Sequence, residues 1–155
     1  MSFIIEGLSP GQFQPYFGMS ASELAEHRAR KLVANVKPGF PCRVSLEDAE
    51  IGETVILLNY EHQAADSPFN SRHAIYVREN ARQLTPAANE VPAMFLSRLV
   101  SIRVFDSEQL MTAADVVKGS ELERAIPALF KKPGSEYIHL HNAMPGCFLA
   151  KAVRL

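Results

Sequence analysis

The chain has 155 residues, of which 47% are hydrophobic and 21% charged, and a formal net charge of −1; this is the size and composition of one globular domain. The charge balance lacks the surplus of Lys and Arg that phosphate neutralisation requires, so no nucleic-acid partner is expected, nor a polybasic membrane patch. Its apolar runs fall far short of the ~20 residues of a membrane span, and Met1-Ser2-Phe3-Ile4-Ile5 has no basic leader before it; no membrane partner is expected, the compartment is expected to be cytoplasmic, and Cys42 and Cys147 are expected to be free thiols.

Phe3-Ile4-Ile5 reads as a first strand. Ser9-Pro10-Gly11-Gln12 predicts a helix start, with Ser as cap, Pro in the first position and Gln closing a capping box; Pro15 and Gly18 keep that helix short. Ser20-Ala21-Ser22-Glu23 is a second capping box, for a helix through about His27. Leu32 to Val36 reads as a strand ended by Pro38-Gly39-Phe40-Pro41, Cys42 to Ser45 as a short strand, and Ser45-Leu46-Glu47-Asp48 as one capped helical turn. After a turn at Glu50-Ile51-Gly52-Glu53, Thr54 to Asn59 is an unbroken apolar strand, which predicts a central position with Ile56 and Leu58 in the core. A polar loop over 63–72 leads to a strand at Ala74 to Arg78. Pro92 starts a short helix through about Ser97, and Leu99 to Phe105 with Gln109 to Val117 predicts a hairpin. Ser120-Glu121-Leu122-Glu123 is a third capping box, for a helix running to Lys131 and Lys132 with Pro127 kinking it. Tyr137 to Asn142 and Cys147 to Val153 predict a last hairpin. Strands outnumber helices and no βαβ alternation appears. The expected fold is therefore α+β: residues 1–155 as a single domain with a mostly antiparallel sheet and a few short helices.

Chemistry-bearing residues gather where predicted strands end, which is where a rigid scaffold presents function. Glu61-His62 offers a base beside a carboxylate. His139 and His141, two apart on a strand, leave the same face. Such a pair can chelate a metal with His62 or Glu61 as third ligand, but the expected role is hydrogen bonding on a half-exposed sheet face, and no metal ligand is assigned. Glu61, His62, His139 and His141 are the candidate catalytic residues; Arg43, Asn59, Tyr60, Arg72, Arg78 and Asn142 are the candidate binding residues. His62, His139 and His141 are expected to share one polar cleft with Glu61 and Asn142 at its edge. Strict alternation from a four-residue loop puts Cys147 and His141 on opposite faces, which weakens a Cys–His dyad, and both cysteines read as small buried thiols. No phosphate loop, dinucleotide fingerprint, G-x-S-x-G elbow, H-E-x-x-H or C-x-x-C occurs in the sequence.

Five stretches carry a family resemblance: Gly39-Phe40-Pro41-Cys42-Arg43-Val44-Ser45-Leu46-Glu47-Asp48-Ala49, Leu57-Leu58-Asn59-Tyr60-Glu61-His62-Gln63, Ile75-Tyr76-Val77-Arg78-Glu79, Tyr137-Ile138-His139-Leu140-His141-Asn142-Ala143 and Pro145-Gly146-Cys147-Phe148. In these the chain resembles a bacterial family described only as domain of unknown function 1203. The loop Asn70-Ser71-Arg72-His73 departs from the more Pro/Gly-containing pattern expected there. The resemblance implies one intact domain and supplies no mechanism, cofactor or site residue. The expected function is an enzyme or small-molecule binder with a His/Glu/Asn/Arg polar cleft; the alternative is a non-catalytic protein-interaction domain in which these residues tie strand ends together. Convergent side chains around an opening favour the first, and separate, internally satisfied hydrogen bonds favour the second. A small-molecule ligand is the expected partner, and no cofactor or oligomeric state follows from the sequence.

Overall fold

Alternation sorts the side chains of the strand Leu99–Phe105, with Val100, Ile102 and Val104 fully buried and Ser101 and Arg103 left partly open. It lies inside the larger of two antiparallel sheets in a computed structural model that describes residues 1–155. In chain order the strands are β1 (Phe3–Glu6), β2 (Ala29–Val33), β3 (Thr54–Gln63), β4 (Ser71–Arg78), β5 (Leu99–Phe105), β6 (Met111–Lys118), β7 (Tyr137–Asn142) and β8 (Phe148–Arg154). The larger sheet has the order β1-β8-β7-β5-β6 and the smaller β2-β3-β4. Helix α4 (Leu122–Phe130) presents Leu122, Ile126, Leu129 and Phe130 along one stripe, and these join Phe3, Ile5, Ile102, Leu140 and Leu149 in the main core. Burying each such side chain is worth about 1.5–3 kcal/mol.

A second core lies on the smaller sheet, where Phe13 and Leu24 pack on Ile56, Leu58, Ile75 and Val77. As expected, β3 is the central strand, with Ile56 and Leu58 buried at 0% and 3% exposure. Leu24 comes from α2 (Ala21–Glu26), whose N-terminus carries the Ser20/Glu23 capping box in full. Helices α1 (Gln14–Phe17) and α3 (Ala93–Leu96) are single turns. No helix is long and apolar enough to cross a membrane.

Several local expectations need correction. The strand expected at 32–36 lies at Ala29–Val33, because Arg28 takes a left-handed conformation (φ 53°) straight after α2 and brings Ala29 opposite Leu58 at once. The segment after Pro41 makes only single bridges, Pro41 to Asp48 and Cys42 to Tyr76, instead of a strand. Leu46, at φ 52°, breaks the helical turn expected there. The loop expected over 63–72 is shorter, since β3 runs through Gln63 and β4 begins at Ser71. Ser9 makes no side-chain cap. Ser120 is not the cap of the last helix either: the Glu121 carboxylate accepts from the Lys118 N–H (3.0 Å) and closes a tight turn ahead of α4. That turn needs glycine at Gly119, where an added Cβ would lie 1.7 Å from the Phe95 carbonyl oxygen.

Candidate functional site

The two sheets meet at three histidines. His62 comes from β3 in the smaller sheet, and His139 and His141 from β7 in the larger. Each offers one ring nitrogen, and these atoms all lie within 4.8 Å of one another. The expectation that the three gather is met; the half-exposed sheet face is not, since His139 is 3% exposed and His141 fully buried. Aromatic rings wall the cluster. Phe148 stacks on His62 with ring centres 5.4 Å apart and nearly parallel, and His139 packs against Phe105 and Tyr137 at 5.1 and 5.3 Å.

Two register slips aim these side chains. Along β3 and β4, Tyr60 faces His73 while Gln63 faces Ser71, so β3 carries one extra residue at Glu61-His62. Along β7 and β8, Leu140 faces Ala150 while His141 faces Phe148, so β8 carries one extra residue at Leu149. The second slip sends Leu149 and Ala150 to the main core and Phe148 to the histidine side. Bulges of this kind re-aim side chains and recur beside functional sites.

Hydrogen bonding settles one tautomer. His141 Nδ1 lies 2.9 Å from the Gly146 carbonyl oxygen. A carbonyl only accepts, so Nδ1 carries the proton and Nε2 keeps a free lone pair. That Nε2, together with His62 Nδ1 and His139 Nδ1, is buried without a hydrogen-bond partner in the protein. An unpartnered buried polar atom costs about 1–3 kcal/mol. Three in one place form a concentrated local penalty that core packing does not explain.

All three rings are held neutral. Burial first, then the charges of Arg103 and His73, lowers the His62 pKa to about 4. Burial first lowers His139 to about 3, with His141, His62, Lys151 and Arg103 adding to the effect. Burial likewise lowers His141 to about 3, against the opposing hydrogen bond to Gly146. No carboxylate is among the charges acting on any of the three. Neutral imidazoles keep the lone pairs that metal ligation needs.

The other expected residues are dispersed. Glu61 leans toward Arg72 (3.7 Å) and Asn70 instead of orienting His62, and Arg72 donates to Asn59 Oδ1 at 2.6 Å. Tyr60 packs against Phe13 in the second core, and burial raises its phenol pKa. Arg78 is bound by both Glu53 oxygens and by Glu47, each contact 2.7 Å, which raises its pKa and lowers that of Glu53. Asn142 donates to Cys147 Sγ at 3.1 Å, so it supports the hairpin turn instead of edging the histidines.

Arg43, expected to bind a ligand, is 1% exposed and committed internally. It donates to the carbonyls of Phe148 (2.7 Å) and Pro41 (2.5 Å) and to Cys147 Sγ (3.0 Å). Burial lowers its pKa, with Cys147 opposing. Arg43 thereby fixes the backbone of Phe148, the residue stacked on His62. Cys42 and Cys147 are free, as expected, and Cys147 answers to Arg43 and Asn142 and not to a histidine. A cleft of ≈ 470 Å³ opens beside this cluster, lined by His73, Tyr76, Arg98, Asn142 and Cys147 among others.

Sequence reasoning missed Arg103, Lys151 and Phe148. Arg103 stands directly opposite His139 on β5, and Lys151 directly opposite it on β8. The one signal for Arg103 was its place on the open face of an otherwise apolar strand; the cross-strand register that brings it to His139 is not local information.

The comparisons with known proteins add a family. The model of a family described as protein of unknown function (DUF1203) matches residues 39–154. No curated protein and no solved structure matches the chain.

Proposed function

The chain belongs to the DUF1203 family, and from the geometry of its histidines we propose that it is a metal-dependent small-molecule-binding domain. In this reading His62, His139 and His141 hold one divalent transition-metal ion of the zinc type and leave a coordination position open. The observation that carries it is the convergence of three histidines, each offering one ring nitrogen within 4.8 Å of the others and each holding a buried ring nitrogen without a hydrogen-bond partner in the protein. Tetrahedral bonds of about 2.0–2.1 Å put ligand nitrogens roughly 3.3–3.4 Å apart, so nitrogens now within 4.8 Å would close by up to about 1.4 Å on binding. The Gly146 carbonyl already orients His141 in the manner of an outer-shell partner. Three neutral nitrogens without a carboxylate favour a borderline-soft ion over magnesium or calcium. An open position on such an ion polarises whatever oxygen occupies it, which gives the site Lewis-acid capacity.

The alternative of a non-catalytic interaction domain expects these polar groups to be satisfied internally, and three of them are not. The test is metal stoichiometry. The chelator-stripped protein should take up one equivalent of Zn(II) or Co(II) and gain stability by mass action, about 2.7 kcal/mol at 100 times the dissociation constant. His139→Gln should lose the uptake while remaining folded. Absence of stoichiometric uptake by the wild-type protein overturns the reading and favours the interaction domain instead.

A further inference from the structure

Three neutral histidines leave the full double charge of a bound ion uncompensated, and the surroundings add to that charge. His139 is flanked in register by Arg103 on β5 and Lys151 on β8, all on one face of the larger sheet. Arg103 is partly buried, which lowers its pKa, and forms no ion pair; the chain's five ion pairs involve Lys37, Arg72, Arg78 and Arg98 only. Lys151 rests over the Tyr137 ring, 4.6 Å from its centre, and has no ion-pair partner. The carboxylate nearest in register is Glu6, opposite Lys151 on β1, one strand farther from the histidines. A cation site with two further cations beside it and no anion is electrostatically incomplete.

Resting on the metal reading above, we infer that the ion's open position takes a small oxyanion, a carboxylate or phosphate group, held jointly by the ion and the Arg103 guanidinium. A guanidinium offers paired N–H donors whose spacing matches two oxygens of one carboxylate or phosphate. With one oxygen on the ion and another on Arg103, the anion would partly offset both positive charges at once. Lys151 adds attraction at longer range. Because anion and ion stabilise each other, each must raise the other's affinity by the same factor.

The test uses the Co(II)-loaded full-length chain, freed of unbound metal, with the visible d–d bands of cobalt as readout. Acetate and inorganic phosphate are titrated separately, with acetamide as an uncharged control. Saturable band shifts with either anion and none with acetamide are expected, and the anion that binds more tightly identifies the headgroup. Arg103→Gln should weaken the titration by about tenfold or more, as loss of a charge-assisted hydrogen bond does. Arg103→Lys should recover part of it, and Lys118→Gln, which removes an exposed cation elsewhere, should change nothing. Saturating acetate should tighten cobalt binding by the factor by which cobalt tightens acetate binding. Bands indifferent to both anions, or an Arg103→Gln protein that titrates like wild type, would overturn the oxyanion while leaving the metal in place. Failure of the wild-type chain to retain cobalt overturns the metal reading, and the oxyanion with it.

Discussion

Acid should destabilise the metal-free protein already above the pH at which carboxylates titrate. In the folded chain His139 and His141 take up protons only near pH 3, and burial is the chief cause. In the unfolded chain they take them up at about 6.5. Between those values the unfolded state binds more protons, so stability rises with pH and falls as pH drops below about 6.5. At about pH 5 each of the two costs roughly 2 kcal/mol, or about 4 kcal/mol together. His62 adds less, because its ring is partly exposed and solvent screens it. That is a large share of the 5–15 kcal/mol typical of a domain. The carboxylate with a lowered pKa in a half-buried ion pair, Glu53, contributes its loss at lower pH. Urea midpoints of chelator-stripped protein at about pH 7.5, 6.5 and 5 read the effect. His139→Leu removes one proton site and one unpartnered nitrogen, so it should be more stable than wild type by about 1 kcal/mol at neutral pH and by about 3 kcal/mol at pH 5. A wild-type midpoint that stays flat over this range, or a His139→Leu protein with the wild-type slope, would refute the reasoning.

Three further outcomes follow from the packing. Arg43→Met should lower stability by about 3 kcal/mol in urea denaturation, because the carbonyls of Pro41 and Phe148 lose buried donors; a loss below about 1 kcal/mol would mean that water replaces the guanidinium. Gly119→Ala should cost about 2 kcal/mol or more by the same measurement, since the new methyl meets the Phe95 backbone and not a movable side chain. A thiol-reactive dye should find two cysteines in denaturant and react far more slowly with the native protein, where Cys42 is 0% and Cys147 8% exposed; equal rates in both states would show that the hairpin turn opens readily.

What the sequence disclosed depended on whether the information was local. The alternation of Val100, Ile102 and Val104 fixes β5 to the residue, and the Ser20/Glu23 pair fixes the start of α2. The spacing of His139 and His141 says that they share a face. It does not say that the face is buried, because that depends on Phe148 being turned onto it by an extra residue at Leu149 and on His62 arriving from another sheet. Glu61 was paired with His62 because they are neighbours in sequence, whereas the extended β3 lets Glu61 reach Arg72 on the adjoining strand. Arg43 looked like a ligand-binding cation, yet its partners Cys147 and Phe148 are 104 and 105 residues away. No window of sequence contains that contact.

The order of the larger sheet also governs how the chain is made. Strand β1 has a single neighbour, β8, with Phe3 opposite Arg154 and Ile5 opposite Ala152. During synthesis, therefore, β1 leaves the ribosome before its one partner and waits for β8. Phe3 and Ile5, both fully buried in the finished core, lack the cover of β8 throughout that interval. Closure of the sheet is an event of high contact order, slow by nature and exposed to aggregation until it is complete. A ribosome-stalled chain lacking β8 would present this apolar segment to a chaperone, and release of the last strand would withdraw it.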